Sequence, residues 1–100
     1  MYAVIFRSVR TPHFEALYQE HSSRMETLVK SIKGYINHHS QRDAQTREGI
    51  TISYIDSLEA IKAWRDHPEH RATQELGRTH FYESYDVKVV KVDQEYEWVK

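Results

Sequence analysis

Two histidines beside a proline are the most conspicuous chemistry-bearing residues of the sequence. His67 and His70 flank Pro68 and Glu69, so on a helix both imidazoles would share a face and could reach one ligand. Histidine accepts protons near neutral pH, which makes either one a candidate general base. Zinc-binding helices space their histidines four residues apart, and no third ligand is evident, so we predict no metal site. A structural alternative stays open, with His67 as a helix cap and His70 at the surface.

Three nearby residues could build a pocket around these histidines. Trp64 lies on the buried side of a predicted helix, where a tryptophan is either core or the wall of an aromatic pocket. Arg78 follows Gly77, and Tyr82 enters the last predicted strand. The last two would therefore place a cation and a phenol near the same end of the domain.

Two further side chains occupy otherwise apolar positions. Arg7 shares a strand face with Ile5 and Val9, and a guanidinium there needs an anionic partner. That partner is either an acidic side chain or a substrate anion. His21 lies on the apolar stripe of the first predicted helix, where it is either a core histidine or part of a pocket beneath that helix.

Composition excludes several classes of protein. One hundred residues form one domain, with 39% hydrophobic residues and a formal net charge of −1. That charge argues against a nucleic-acid or membrane partner, either of which favours a basic excess. The chain has no cysteine for a thiolate site, and its three separated glycines form no phosphate-binding loop. The first residues contain no basic leader, and their apolar run stops at Arg7, so we expect a cytoplasmic location.

The apolar periodicity predicts a β-α-β-β-α-β order of elements. An amphipathic helix beginning at Thr11-Pro12 follows the first strand, and a capping box of Asp56 and Glu59 opens the second helix. The predicted strands span residues 2–9, 35–41, 50–55 and 80–92. This order is that of a single ferredoxin-like α+β domain with an antiparallel sheet, covering residues 1–100.

The sheet faces predict a second copy of the chain. Two helices cover only one face of such a sheet, but the first and third strands are apolar on both faces. A mean hydropathy of −0.78 is also low for a domain that must build its core alone. We therefore predict a two-fold homodimer that buries the other face. Residues 93–100, with Tyr96 and Trp98, are predicted to form an arm that docks on the partner subunit.

The central stretch of the chain resembles a known family. Residues 49–64, GITISYIDSLEAIKAW, are similar to the strand-to-helix segment of antibiotic biosynthesis monooxygenase domains. These are small dimeric α/β barrels, and the superfamily includes haem-degrading monooxygenases. The continuation from His67 and His70 to Arg78 and Tyr82 is similar to a bacterial branch of that superfamily.

The resemblance implies a homodimer with a small-molecule pocket between helices and sheet in each subunit. Monooxygenase members oxygenate a phenol or quinol without metal or flavin, because the bound substrate anion itself reduces oxygen. The protein supplies a dry pocket, a proton acceptor and stabilisation of the anion. Trp64 matches the tryptophan that lines this pocket. From their positions in the chain, and not from a match to family residues, we predict His67 or His70 as the proton acceptor and Arg78 as the anion stabiliser. Tyr54 and Tyr82 are predicted by position as further polar lining residues.

Two other functions remain open. Haem-degrading members combine a strand asparagine, the helix tryptophan and a downstream histidine. Here Arg7 stands at the asparagine position and Gln74 at the histidine position, so only Trp64 fits. Haem binding through another histidine is the alternative cofactor prediction. The third hypothesis is a dimer that binds a small ligand without catalysis.

Overall fold

The computed structural model describes residues 1–100, which fold into one sheet and a layer of helices. The elements, in chain order, are β1 (Tyr2–Arg10), α1 (Glu15–Ser31), β2 (Tyr35–Arg42), β3 (Glu48–Ile55), α2 (Leu58–Asp66), α3 (Pro68–Leu76), a π-helical turn (Gly77–Phe81) and β4 (Tyr82–Lys91). None of the helices combines the length and apolar character that crossing a membrane would need.

The four strands form one antiparallel sheet in the order β2-β3-β1-β4. β1 therefore lies inside the sheet, paired with β3 from Tyr2 opposite Ile55 to Val9 opposite Glu48, and with β4 on its other side. This topology confirms the predicted ferredoxin-like arrangement. It also leaves β4 as an edge strand.

The helices all pack on one face of the sheet. Val4 of β1 forms a buried core with Ile55 of β3 and with Ala60 and Ile61 of α2. Because side chains alternate along a strand, the even-numbered residues of β1 face the helices.

The opposite side of the sheet, called the open face below, carries the odd-numbered residues of β1. Ile5 lies opposite Ile52 there, and Arg7 lies opposite Ile50. Ile50 is exposed and the isoleucine pair is half-buried, although all of these residues lie inside strands. An apolar strand surface without helices is what the sequence pattern predicted.

Helix α1 begins later than predicted, at Glu15 instead of Pro12. Its N-cap residue, Phe14, has a left-handed backbone with φ of 61° and makes no capping hydrogen bond. Thr11 is occupied elsewhere, since its hydroxyl donates to the carbonyl of His80 at 2.8 Å and its N–H donates to that of Phe81. A long-range tie between β1 and the π-helical turn thus replaces the predicted cap.

Helices α2 and α3 meet at His67. Ser57, not Asp56, caps α2, because its hydroxyl accepts the Ala60 N–H at 3.1 Å. His67 caps α3, with Pro68 in the first turn, as the sequence suggested. The proline therefore separates two short helices and does not kink one long helix.

Candidate functional site

Five aromatic rings gather at the junction of β1, β4, α1 and the π-helical turn. The ring of Tyr82 lies 5.4 Å from that of Phe6, 6.2 Å from Tyr18 and 6.0 Å from Tyr85. Phe81, which is almost fully buried, contacts Tyr18 edge-on. This aromatic cluster, namely Phe6, Tyr18, Phe81, Tyr82 and Tyr85, lies on the helix side of the sheet.

Tyr82 contacts all four other rings of the aromatic cluster. Burial raises the pKa of its phenol far above the usual value, and the neighbouring Tyr18 adds to the rise. The cations Arg42 and Arg10 act in the opposite direction but do not offset the burial. The Tyr82 hydroxyl therefore stays protonated and can donate a hydrogen bond to an oxygen placed beside it.

Arg78 reaches this cluster from the π-helical turn. Its guanidinium donates to the Tyr85 hydroxyl at 3.2 Å, and the Tyr85 ring contacts both Phe6 and Tyr82. The phenol that receives the Arg78 hydrogen bond is therefore Tyr85, whereas the sequence pattern predicted Tyr82 near this cation. Arg78 itself is exposed and has no carboxylate partner.

His70 stacks face to face on Trp64. The ring centroids are 4.6 Å apart and the planes differ by only 4°. Nδ1 of His70 lies 3.1 Å from the carbonyl oxygen of Trp64, so Nδ1 carries the proton and Nε2 keeps its lone pair. Burial lowers the pKa of His70, the carbonyl opposes this, and His67 lowers it further. His70 is therefore a neutral imidazole at pH 7 with a basic Nε2.

His67 has the opposite arrangement of its ring nitrogens. Its Nδ1 accepts the backbone N–H of Glu69 at 3.2 Å, which is the capping hydrogen bond of α3. The lone pair that a general base would use at Nδ1 is occupied. Of the two predicted proton acceptors, His70 is the one with a free lone pair.

Trp64 packs directly against the core of Val4, Ile55 and Ile61. Its indole Nε1 is buried and has no hydrogen-bond partner within the chain. A buried indole N–H without an acceptor costs free energy, and an acceptor supplied by a ligand would satisfy it. Trp64 is thus both part of the core and a neighbour of the candidate base.

Helix α3 links the Trp64–His70 pair to the aromatic cluster. Gly77 follows His70 by seven residues, which is about two turns or 10 Å along one helix face. A side chain at Gly77 would come within 3.2 Å of the Tyr82 ring, so the two are packed together. Between these ends, Thr73 is hydrogen-bonded to His21 of α1 at 3.0 Å, and the His21 ring lies 5.8 Å from Phe81.

Arg7 and Tyr54 lie apart from this group. Tyr54 is paired opposite Ala3, on the open face of the sheet. Arg7 shares that face, is 65% exposed and forms an ion pair with Asp86 at 3.7 Å. The structure therefore separates these two predicted site residues from Trp64, and an acidic side chain is the partner of Arg7.

Sequence reasoning missed three residues near the aromatic cluster. Arg10, at the end of β1, holds its guanidinium 3.6 Å over the Tyr18 ring, and Arg42 of β2 lies 5.9 Å from the same ring. Extending the alternation from Val4 to the end of β1 would have placed Arg10 on the helix side. Tyr18 lies on α1, and nothing in the sequence paired it with an arginine.

The histidines lie away from the two large clefts at the surface. One cleft, of about 780 Å³, runs from Arg7 to Asp86, and the other, of about 560 Å³, runs from Arg10 to Arg47. Neither is lined by a histidine. Haem binding through a histidine, the alternative that the sequence left open, would therefore need a site other than these two clefts. No set of three or more His, Asp or Glu side chains is placed to hold a metal ion.

Comparison with known proteins assigns the family. The profile of the family described as "Antibiotic biosynthesis monooxygenase" matches residues 1–76. This chain belongs to that family. The uncharacterized protein YqjZ of Bacillus subtilis (strain 168) is 47% identical over 94 residues, covering 94% of this chain and 81% of YqjZ.

Two solved structures show the same fold at low sequence identity. Rv0793 of Mycobacterium tuberculosis has a TM-score of 0.81 at 18% identity and covers 96% of this chain and 98% of its own. SnoaB, a cofactor-independent oxygenase from Streptomyces nogalater, has a TM-score of 0.76 at 12% identity and covers 94% of each chain. Arg78 and Tyr82 fall beyond the family match, so their placement rests on the structure.

Proposed function

We propose that this chain is a cofactor-independent monooxygenase of the antibiotic biosynthesis monooxygenase type, acting on a small phenol or quinol. Family membership supports the reaction class, and SnoaB is a cofactor-independent oxygenase of the same fold. The observation that carries the proposal is a neutral base and a neutral phenol at two ends of one helix face. His70 lies on α3, and Tyr82 of β4 packs against Gly77, which follows His70 by about 10 Å along the helix axis.

Each residue takes a role that its geometry permits. Nε2 of His70 accepts the proton of the substrate hydroxyl, since Nδ1 is already held by Trp64. Tyr82 donates a hydrogen bond to the negatively charged peroxide oxygen that forms on the substrate carbon at the other end. Arg78, joined to the same rings through Tyr85, stabilises that anion. The indole of Trp64 forms the wall beside the base.

The reaction itself needs only the substrate anion and dioxygen. The anion transfers one electron to dioxygen, and the resulting radicals combine to form a peroxide on the substrate carbon. Loss of water from this peroxide leaves a carbonyl at that carbon. One oxygen atom enters the product and the other leaves as water, which carries the single hydrogen of that carbon and the proton that His70 took from the substrate hydroxyl. The protein contributes the base and the hydrogen bonds.

We also propose that two copies pair through their open faces. The support is apolar surface outside the core, with Ile50 and Val90 each 39% exposed and Trp98 of the arm 78% exposed. Exposed large apolar side chains on an uncovered sheet face are typical of surfaces that bind another protein. Arg7 and Tyr54 would then lie in the dimer interface, and their predicted contact with substrate would require the partner subunit.

Oxygen consumption with a panel of quinols tests the proposed reaction. We expect wild-type turnover in metal-free buffer with chelator present, and a loss of about a hundredfold or more for His70→Ala. Arg78→Ala should lose at least about tenfold. Arg24→Ala, at an exposed position of α1 outside the site, serves as the matched control. Full activity of His70→Ala and Arg78→Ala would contradict the assigned roles.

Two other results would favour the alternative functions. A shift of the Soret band on titration with micromolar haem, together with haem-dependent turnover, would contradict the cofactor-independent reaction. Saturable binding of quinols without oxygen consumption would identify the protein as a ligand-binding dimer and contradict the oxygenase proposal.

A further inference from the structure

We infer that the cleft between α1 and the β2–β3 hairpin is a binding site for a small aromatic carboxylate. The cleft has a volume of about 560 Å³, within the usual range of small-molecule pockets. Three arginines line it, namely Arg10, Arg42 and Arg47, together with the ring of Tyr18. This group is called the arginine cleft below. The inference concerns binding alone and does not depend on the proposed oxygenation.

Arg10 is the buried element of the arginine cleft. Arg10 is only 3% exposed, and its guanidinium carbon lies 3.6 Å from the centre of the Tyr18 ring. The terminal nitrogens donate to Glu15 and to the carbonyl of His13, but the buried Nε has no partner. An unsatisfied donor on a buried cation is costly unless an acceptor is supplied, and a ligand carboxylate is such an acceptor.

Arg42 and Arg47 carry positive charge that no side chain neutralises. Arg42 donates to the backbone carbonyl of Arg47 at 2.7 Å and to the hydroxyl of Ser8 at 2.9 Å, and both acceptors are uncharged. The Arg47 side chain makes no hydrogen bond or ion pair within the chain. By contrast, Arg7 and Arg24 each lie within 4 Å of a carboxylate.

Two carboxylates also line the cleft, and both are already engaged. Asp43 accepts the backbone N–H groups of Gln45 and Thr46, which lower the pKa of its carboxyl group and hold it ionised in the hairpin turn. Glu15 pairs with Arg10 at 3.1 Å and is 70% exposed. Three cations therefore face two anions, and this excess of one charge favours a monoanion over a phosphate dianion.

The backbone around the cleft is held in unusual conformations. Phe14 and Arg47 are the only non-glycine residues with positive φ, at 61° and 64°. They flank the cleft on the α1 side and on the hairpin side. Such conformations concentrate at binding sites because the surrounding structure must maintain them. The flat Tyr18 ring and the planar guanidinium groups suit an aromatic acid. Its ring can stack on Tyr18 while its carboxylate accepts two hydrogen bonds from one guanidinium group.

Titration with benzoate, followed through the arginine Nε–H signals in ¹⁵N NMR spectra, tests the inference on the whole chain. We expect saturable shifts of the Arg10 and Arg42 signals that weaken as salt is added. Arg42→Gln and Arg47→Gln should each raise the dissociation constant about tenfold. Arg24→Gln is the matched control, because Arg24 is an exposed arginine of α1 outside the cleft. Thermal melts establish that each variant is folded.

The comparison ligands separate the possible outcomes. Benzyl alcohol, which lacks the charge, should produce no saturable shift of the Arg10 signal, and inorganic phosphate should bind more weakly than benzoate. Arg42→Lys keeps the positive charge but cannot donate two parallel hydrogen bonds to a carboxylate. It should retain part of the affinity for benzoate, which distinguishes a loss of binding from a loss of folding. Unsaturable benzoate shifts, equal binding by the Arg42→Gln and Arg47→Gln variants, or tighter binding of phosphate would each overturn the inference.

Discussion

The indole of Trp64 and the imidazole of His70 form a parallel stack at 4.6 Å, although they belong to different helices. The break between α2 and α3 makes this possible, because Pro68 starts a new helix whose first turn carries His70 back over Trp64. The hydrogen bond from His70 Nδ1 to the Trp64 carbonyl fixes the tautomer as well as the ring position. Because this hydrogen bond leaves Nε2 of His70 free to accept a proton, His70 and not His67 is the candidate base.

Stability should fall as pH decreases because His70 is buried. Its folded pKa lies below the ordinary value of 6.5, so the unfolded chain binds the proton more readily. The contribution of His70 to stability is therefore complete above about pH 6.5 and is lost as pH falls through its folded pKa. Urea unfolding of wild type and His70→Gln between pH 7.5 and 5 measures this, and the variant should show the shallower pH dependence. Equal pH slopes would contradict the burial argument.

His67 should act through the helix cap and not through proton transfer. Removing the capping acceptor with His67→Ala should destabilise the protein by about 1 kcal/mol. Asparagine is a good capping residue but accepts no proton near neutral pH, so His67→Asn should restore both stability and quinol turnover. Thermal melts and oxygen uptake measure the two effects. An inactive but stable His67→Asn variant would instead identify His67 as the base.

Tyr82 should stay protonated well into the alkaline range. Because burial raises its pKa, Tyr82→Phe should leave the 295 nm titration of the folded protein unchanged up to about pH 11. The raised pKa also means that stability is complete below about pH 10 and declines as pH rises beyond it. In oxygen uptake, Tyr82→Phe should lower turnover about tenfold by removing the donor.

Local sequence rules predicted the sheet and the helix layer because they depend on periodicity. The alternation in β1 and β3 and the spacing of apolar residues in α2 were enough to give the topology. The start of α1 was wrong because Thr11 forms a contact with the π-helical turn about 70 residues later in the chain. The residues next to Thr11 give no sign of such a long-range hydrogen bond. The general preference for threonine as an N-cap therefore placed the start of α1 too early in the chain.

The candidate site was predictable only in part for the same reason. His67 and His70 look equivalent in the sequence, and the hydrogen bonds that distinguish their nitrogens come from backbone groups. Arg10 and Tyr18 lie on different elements, and their stacking depends on where α1 crosses the sheet. Residue types identified the candidates, but their division between the two sheet faces required the register of β1 and β3.

Substitution of Arg10 should separate packing from charge. Arg10→Ala removes the stem that covers Tyr18 and leaves a cavity, which should cost about 2–4 kcal/mol. Arg10→Met keeps most of the volume without a buried charge, and its cost should stay below about 1.5 kcal/mol. Glu15 loses its partner in both variants but remains hydrated, because it is 70% exposed. Chemical denaturation compares the two, and equal losses would show that the charge, not the packing, dominates.

The C-terminal arm should strengthen the proposed dimer. Tyr96 and Trp98 are 98% and 78% exposed in the single chain, so burial against a second copy would remove large aromatic surface from water. Trp98→Ala should therefore weaken self-association about tenfold or more, as truncation of buried aromatic anchors does. Analytical ultracentrifugation across a range of concentrations measures the change. Glu97→Ala, which alters the neighbouring charged residue, is the matched control and should have little effect. Identical dissociation constants for wild type and Trp98→Ala would rule out the arm as part of the interface, and a monomer at all concentrations would rule out the dimer.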